Sequence, residues 1–208
     1  MKILICDDHS VVREGLRQIL QSLEGLTLIA QANDGKEALT LLKKEVFDIV
    51  LLDISLPDRN GLEILQIIKD KWPATNVLML SMYSQEMFAM RALSLGASGY
   101  LTKGSALEEL VIAVKKVSLG QKYISPSLEE ILLLNLTKDK VKLKHELLSD
   151  REFQIMIEIA NGKSSLEIGI ELSISNKTVG TYRNRIMKKM GFSKNIEFIL
   201  YCMKHNLI

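Results

Sequence analysis

Apolar residues over the first 120 positions come in two alternating kinds of run. Short, near-continuous runs stand at Ile3–Cys6, Leu26–Ala30, Ile49–Leu52, Val77–Leu80 and Gly99–Leu101. Between them, apolar positions recur at helical spacing over Val11–Leu20, Lys36–Lys43, Leu62–Lys69, Glu86–Leu95 and Leu107–Val117. A continuous apolar run of strand length suits a strand buried on both faces, because helices cover both sides of a parallel sheet. Five strand–helix units in succession predict a five-stranded, doubly wound parallel sheet whose right-handed crossovers lay helices on both faces.

Beyond Gly120 the strand-like runs stop. Pro126 can open a short helix, and Thr137–His145 is charged with little periodic apolar content. Residues 121–147 therefore read as a linker, helical in part. Four helical patterns follow, at Leu148–Ala160, Ser165–Leu172, Asn176–Met190 and Asn195–His205. The first opens on Ser149 with Glu152 three residues later, the signature of a capping box. The expected domains are thus 1–120, α/β, and 148–208, a small all-α unit.

Composition adds two exclusions. No window holds the roughly 18 uninterrupted apolar residues of a membrane span, and MKILICDD reaches acids too early for the core of a signal peptide. A cytoplasmic protein with no membrane partner is expected. Cys6 and Cys202 sit in apolar runs at opposite ends of the chain, without the spacing of a disulfide framework or a zinc site. The net charge of +2 is informative only once divided. Residues 1–120 carry 13 Lys/Arg against 15 Asp/Glu, whereas from Ile174 onward seven bases face one acid, Glu197. A basic tail of that kind points to a polyanionic partner for the second domain.

Candidate chemistry lies at the predicted strand ends. Asp7 and Asp8 follow the first strand, Asp53 ends the third, Ser81 follows the fourth and Lys103 the fifth. In an open parallel sheet these carboxyl ends share one edge, where ligands bind beside the switch in strand order. Three clustered carboxylates cannot all stay ionised without a cation. Oxygen-only ligands suit a hard, partly hydrated ion such as Mg2+. With the charge offset by that ion and by Lys103, one carboxylate is left as a nucleophile toward a phosphoryl group.

The segments Ile5–His9 (ICDDH), Asp53–Gly61 (DISLPDRNG), Leu80–Met82 (LSM) and Gly96–Lys103 (GASGYLTK) resemble the receiver domain of NarL/FixJ-family two-component response regulators, over the whole of residues 1–120. The resemblance implies a flavodoxin-like sheet and Asp53 as phosphoacceptor. It implies Mg2+ held by Asp7, Asp8, Asp53 and the main-chain carbonyl of Ser55. Lys103 would pair with the phosphoryl group or with Asp53, Ser81 would donate its hydroxyl to a phosphoryl oxygen, and Tyr100 would change rotamer in response. Gly104 stands where many receivers carry a cis proline.

In the second domain, Ser173-Ile174-Ser175 reads as the turn between two helices, with Ser175 placed to cap the second. Val179, Tyr182, Ile186 and Met190 form that helix's inward stripe. Lys177, Gly180, Thr181, Asn184, Arg185 and Lys188 lie mainly off the stripe, giving the polar, basic face that a major-groove helix needs. Gly180 costs mid-helix stability, which a close approach to DNA would justify. LSDRE at Leu148–Glu152, ANGKSSLEIG at Ala160–Gly169 and ISNKTVGTYRNRIMKKMG at Ile174–Gly191 resemble the LuxR-type four-helix DNA-binding domain. By that resemblance Gly180, Thr181 and Asn184 face bases, in part where relatives carry lysines. Lys177, Thr178, Tyr182, Arg183, Arg185, Lys188 and Lys189 are phosphate candidates. The last helix, with Ile196, Ile199, Leu200 and Met203 on one face, completes the core, supports a dimer, or both.

The implied function is that of a regulator phosphorylated by a sensor histidine kinase, which then binds double-stranded promoter DNA as a homodimer and works with RNA polymerase. It would not be an enzyme beyond its own phosphotransfer and autodephosphorylation. A haloacid-dehalogenase-type phosphohydrolase would need an aspartate where Ser55 stands. A purely protein-binding helical module is disfavoured by the basic tail, and a DNA binder indifferent to phosphorylation by the intact acid set.

Overall fold

The computed structural model describes the backbone of residues 1–83, 85–104, 107–137 and 143–208, and their side chains except those of 85, 86, 107, 108, 131 and 134–137. The chain forms two compact units, Met1–Leu136 and Thr137–Ile208.

In the first unit, β1 (Lys2–Cys6), β2 (Leu28–Ala32), β3 (Ile49–Asp53), β4 (Asn76–Ser81) and β5 (Gly99–Thr102) alternate with α1 (Ser10–Leu20), α2 (Gly35–Lys44), α3 (Gly61–Lys71), α4 (Gln85–Ser94) and α5 (Leu107–Ser118). All strand pairs are parallel, in the order β2-β1-β3-β4-β5. The chain crosses to opposite sides of β1 on leaving β1 and β2, so the switch in order falls between β1 and β3. Ile3, Ile5, Ile49, Leu51, Leu78 and Leu80 are buried from the strands against Leu110, Ala113, Val114 and Val117 of α5. Only β2 lies away from its expected place, two residues later than the apolar run at Leu26–Ala30. As an edge strand it is only partly covered, so Gln31 is tolerated opposite Ile5, while Leu26 packs on the core from outside the strand.

The expected linker 121–147 is shorter than its composition suggests. Tyr123 forms a parallel bridge beside Gly99, its N–H donates to the Ser98 carbonyl at 2.8 Å, and Leu128 of α6 (Pro126–Thr137) is fully buried. Residues up to Leu136 thus belong to the first unit. Positions 138–142 of the charged stretch fall outside the described residues.

The second unit holds a 3-10 turn at Lys144–Leu147, then α7 (Asp150–Ala160), α8 (Ser165–Glu171), α9 (Asn176–Met190) and α10 (Ile196–Lys204). Serines start three of these helices. Ser149 and Ser164 each close a reciprocal capping box with a glutamate, and Ser175 accepts from Thr178 N–H. Each supplies a partner for an N–H that the first helical turn leaves unsatisfied. Phe153, Met156, Ile168, Leu172, Val179, Ile186, Met190, Phe198 and Cys202 fill the core. Of the two roles open to the α10 stripe, core and dimer, the first falls mainly to other residues of the helix. Ile196, Leu200 and Met203 are more than half exposed, because Phe198 and Cys202 on the opposite side occupy the core.

Candidate functional site

The carboxyl edge of the sheet gathers the acids. Asp53 is the last residue of β3, Asp7 and Asp8 follow β1, and Lys103 follows β5 with its N–H on the Ser81 carbonyl at 2.7 Å. Asp7 and Asp53 are buried. Lys103 Nζ reaches both, at 2.7 Å from Asp7 Oδ2 and 2.8 Å from Asp53 Oδ2. One ligand atom each from Asp7, Asp8, His9 and Asp53 lies within 4.8 Å of the others. Residues spread over a hundred positions thus share one rim.

The rim is electrostatically loaded. Burial pushes the Asp53 carboxyl up to about 6; the ammonium of Lys103 opposes this, the Asp7 carboxylate adds to it, and the Ser55 N–H again favours the anion. Burial works against the charge on Lys103, but Asp53 and Asp7 outweigh it and hold the ammonium above its ordinary value. Asp53 Oδ1 is buried with no hydrogen-bond partner among the described residues, and Asp8 Oδ1 lies 2.7 Å from the His9 imidazole. Buried polar atoms are ordinarily paired, and a lone carboxylate oxygen is costly. Hard oxygen donors with unmet demand fit an oxygen-seeking divalent cation.

The second unit presents a basic face on α9. Lys177, Thr181, Asn184, Arg185 and Lys188 are exposed, and an added Cβ at Gly180 would meet nothing within 4 Å. The outward placement of Gly180 rules out tight packing within this unit as the reason for glycine there. Among the described residues Lys177, Arg185 and Lys188 have no ion-pair partner, although Arg185 lies over the Tyr182 ring at 5.8 Å. Two other phosphate candidates are engaged. Lys189 Nζ sits 2.6 Å from the Glu152 carboxylate, and Arg183 donates twice to Asn195 Oδ1, at 2.8 and 2.6 Å.

Residues 3–115 match the response regulator receiver domain, and residues 146–202 match the bacterial regulatory proteins of the luxR family. The chain is 35% identical, over its whole length and 98% of the relative's, to the response regulator GacA of Pseudomonas aeruginosa. It is 32% identical to the response regulator UvrY of Escherichia coli, again over its whole length and 95% of UvrY. The chain belongs to the NarL/FixJ family of response regulators. Its fold is also that of RcsB from Salmonella enterica serovar Typhimurium, solved bound to a promoter in the presence of phosphomimetic BeF3−. That likeness has a TM-score of 0.67 and 25% identity over 97% of each chain. The chain is therefore a regulator of transcription with a receiver and a LuxR-type DNA-binding domain, not a typical enzyme. No helix among the described residues is long and apolar enough to cross a membrane.

Within this response regulator, the receiver ties Ser81 and Tyr100 to the two main-chain polar groups of one residue, Tyr83. Ser81 Oγ accepts from Tyr83 N–H at 3.0 Å, and Tyr100 Oη donates to the Tyr83 carbonyl at 3.2 Å. Both side chains are buried. A shift of the Ser81 hydroxyl would remove the acceptor that holds the Tyr83 N–H, and the Tyr83 carbonyl is what anchors Tyr100.

Three residues that build the rim escaped the sequence reading. Asp58 accepts from Gly35 N–H and Lys36 N–H, both at 2.9 Å, so the β3–α3 loop caps α2. Asn60 is buried and caps α3 through Leu62 N–H at 2.9 Å. Gly61 lies against the Asp53 carbonyl so closely that a Cβ would stand 2.0 Å from it. The Asn-Gly pair just before an apolar-periodic stretch was the available signal. In the DNA-binding domain Gly169 was missed likewise: a Cβ there would meet the Ile174 carbonyl at 2.8 Å and prop open the helix-turn-helix.

Proposed function

We propose that this regulator accepts a phosphoryl group on Asp53 from a sensor histidine kinase and thereby binds promoter DNA. The reading is carried by one observation: Lys103 holds one oxygen of Asp53 while the other, Oδ1, stays buried and unpaired. Asp53 Oδ1 attacks phosphorus, an O–P bond forms, and the P–N bond to the donor imidazole breaks. Asp7, Asp8, Asp53 and the Ser55 carbonyl would hold Mg2+, which when bound offsets negative charge as the phosphoryl group arrives. Lys103 keeps its ammonium on the acyl phosphate oxygens, and Ser81 turns its hydroxyl from Tyr83 N–H toward a phosphoryl oxygen. Tyr100 then follows the Tyr83 carbonyl. Beyond this transfer and its own slow hydrolysis the chain turns nothing over. The protein works in the cytoplasm, with a receiver unit that runs to Leu136 and a DNA-binding domain over residues 148–208.

Base contacts fall to Gly180, Thr181 and Asn184, and phosphate contacts chiefly to Lys177, Thr178, Arg185 and Lys188. Arg183 and Lys189 would first give up Asn195 and Glu152. The exposed Ile196, Leu200 and Met203 stripe on α10 is the surface a two-fold partner would cover. RNA polymerase is the downstream partner.

The test is mobility of a DNA fragment carrying the operator with Mg2+, with and without a small acyl-phosphate donor. Donor-dependent tightening is expected; identical binding in both conditions would detach the receiver from the DNA-binding step. In the same assay Lys188→Ala should weaken binding to every sequence and lower the slope of log K against log salt by about 0.9. Lys189→Ala should instead reduce folding stability, since it leaves the buried Glu152 carboxylate with the Ser149 N–H but without this countercharge. An unchanged slope in the Lys188 variant removes that residue from the interface.

A further inference from the structure

The β1–α1 junction carries a side chain that the helix does not use. His9 holds the N-cap position of α1, with φ −83° and ψ 106°, yet makes no side-chain capping bond. Serine, threonine, aspartate or asparagine there would satisfy a free N–H of the first turn. The imidazole turns to the rim instead. Its Nδ1 is 2.7 Å from Asp8 Oδ1 and 3.3 Å from Asp7 Oδ1, and the His9 main-chain N–H donates to Asp7 Oδ1 at 2.9 Å. At 2.7 Å the shorter approach is of ion-pair length, so the imidazole nitrogen and the Asp8 carboxylate already share one point of the rim. Three donor atoms are simply pointed at common ground.

Their spacing is that of a coordination shell. Adjacent ligands of an octahedral ion with bonds of about 2.1 Å lie about 3.0 Å apart. The two nitrogen–oxygen separations, 2.7 and 3.3 Å, bracket that edge length. Asp53 completes the group, and its Oδ1 is the buried, unpaired oxygen already noted. The ring is 63% exposed, so it stands at the mouth, free to close on an ion without disturbing the core.

We propose that His9 is a metal ligand of this rim, and that its nitrogen makes the receiver select first-row transition ions such as Ni2+ and Mn2+ over Mg2+. The inference rests on the reading of the rim as the receiver's cation site. Carboxylates and carbonyls alone serve Mg2+, which keeps its waters; an imidazole nitrogen adds most for Ni2+ and other ions late in the Irving–Williams order. The identity of the available divalent ion thereby becomes an input to the receiver alongside the phosphodonor.

The experiment uses the full-length chain and the variants His9→Gln and His9→Asn. Mn2+ binding is followed by the loss of the free-ion EPR signal, with Ni2+ and Mg2+ measured by competition. Pulsed EPR of the bound Mn2+ should show coupling to one imidazole 14N in the wild type and none in either variant. Ni2+ affinity should fall by at least about tenfold in the variants while Mg2+ affinity holds within about twofold. His9→Asn, which installs a good cap, keeps the protein folded and controls for a structural loss. Nitrogen coupling that is absent from the wild type or survives the substitutions, with Mg2+ still bound, overturns the role of His9 and leaves the rim as a cation site. A folded wild type that binds none of the three ions overturns the rim reading itself, and this proposal with it.

Discussion

Asp53→Asn is expected to abolish phosphoryl incorporation and, in the same molecule, to make the metal-free receiver more stable above pH 6. The first effect follows from chemistry: the amide offers no nucleophilic anion in place of the carboxylate that Lys103 holds. The second follows from the cause that dominates the Asp53 titration. Burial raises its carboxyl from the ordinary 3.8 to about 6 in the folded chain. The native state therefore binds this proton more tightly than the unfolded chain does, and stability falls as pH rises from about 4 to about 6, with the full penalty present above that. A shift of about two units corresponds to about 3 kcal/mol at most. That shift is already net of the Lys103 attraction, so the amide is expected to give a gain of up to about 3 kcal/mol at pH 7.5. Urea unfolding in chelator at pH 7.5 and pH 5 measures it, and the gain should shrink at the lower pH. Mass spectrometry after treatment with an acyl phosphate reads incorporation. Full labelling of the variant removes Asp53 as the acceptor. A variant that loses labelling but is no more stable leaves the acceptor in place and defeats the burial argument.

The rim was legible because its geometry demands a specific pattern. A polar residue placed directly after an apolar run of strand length can only emerge at the carboxyl edge of a parallel sheet. Asp7, Asp8, Asp53, Ser81 and Lys103 all satisfy that condition, and the folded chain places them at that edge. What the pattern did not carry is tertiary. Nothing in the apolar run Leu26–Ala30 reveals that its strand lies at the edge, where the hydrophobic and hydrogen-bonding positions separate by two residues. Tyr123 looked like linker because a single bridge beside Gly99 leaves no periodicity. The two sides of α10 both carry large apolar residues, so spacing alone left Ile196, Leu200 and Met203 open to core or dimer, and burial gives the core to Phe198 and Cys202. On α9 the charges were read correctly as a basic face, but Lys189 and Arg183 have partners from Glu152 and Asn195, residues 37 and 12 positions away. One-dimensional charge counts do not see such pairs.

The same substitution at two glycines should have opposite signs, and the contrast separates backbone contact from helix propensity. At Gly61 a methyl group would lie 2.0 Å from the Asp53 carbonyl oxygen and 2.8 Å from Ile54 Cα, both backbone atoms that cannot swing aside. Relief requires moving the start of α3 away from β3, against the Gly61 N–H to Ile54 carbonyl bond at 2.8 Å and the Asn60 cap. Gly61→Ala should therefore lower receiver stability by about 2–4 kcal/mol, the range for forcing atoms into a packed site. Because the obstruction is the peptide of Asp53 itself, phosphoryl incorporation should slow in whatever fraction remains folded. At Gly180 the added methyl meets nothing, and alanine is the better helix former by about 1 kcal/mol. Gly180→Ala should thus raise the stability of the DNA-binding domain by up to that amount. If the backbone of α9 comes close to the base pairs at this position, the gain in stability will be accompanied by weaker operator binding, since the methyl then occupies space that only the bound state needs. Chemical unfolding of the two variants, with operator titrations for Gly180→Ala, gives both signs. A Gly61→Ala chain as stable as the wild type would mean that the β3–α3 junction is looser than a 2.0 Å approach permits. An unchanged operator affinity in Gly180→Ala would mean that the glycine serves something other than approach to DNA.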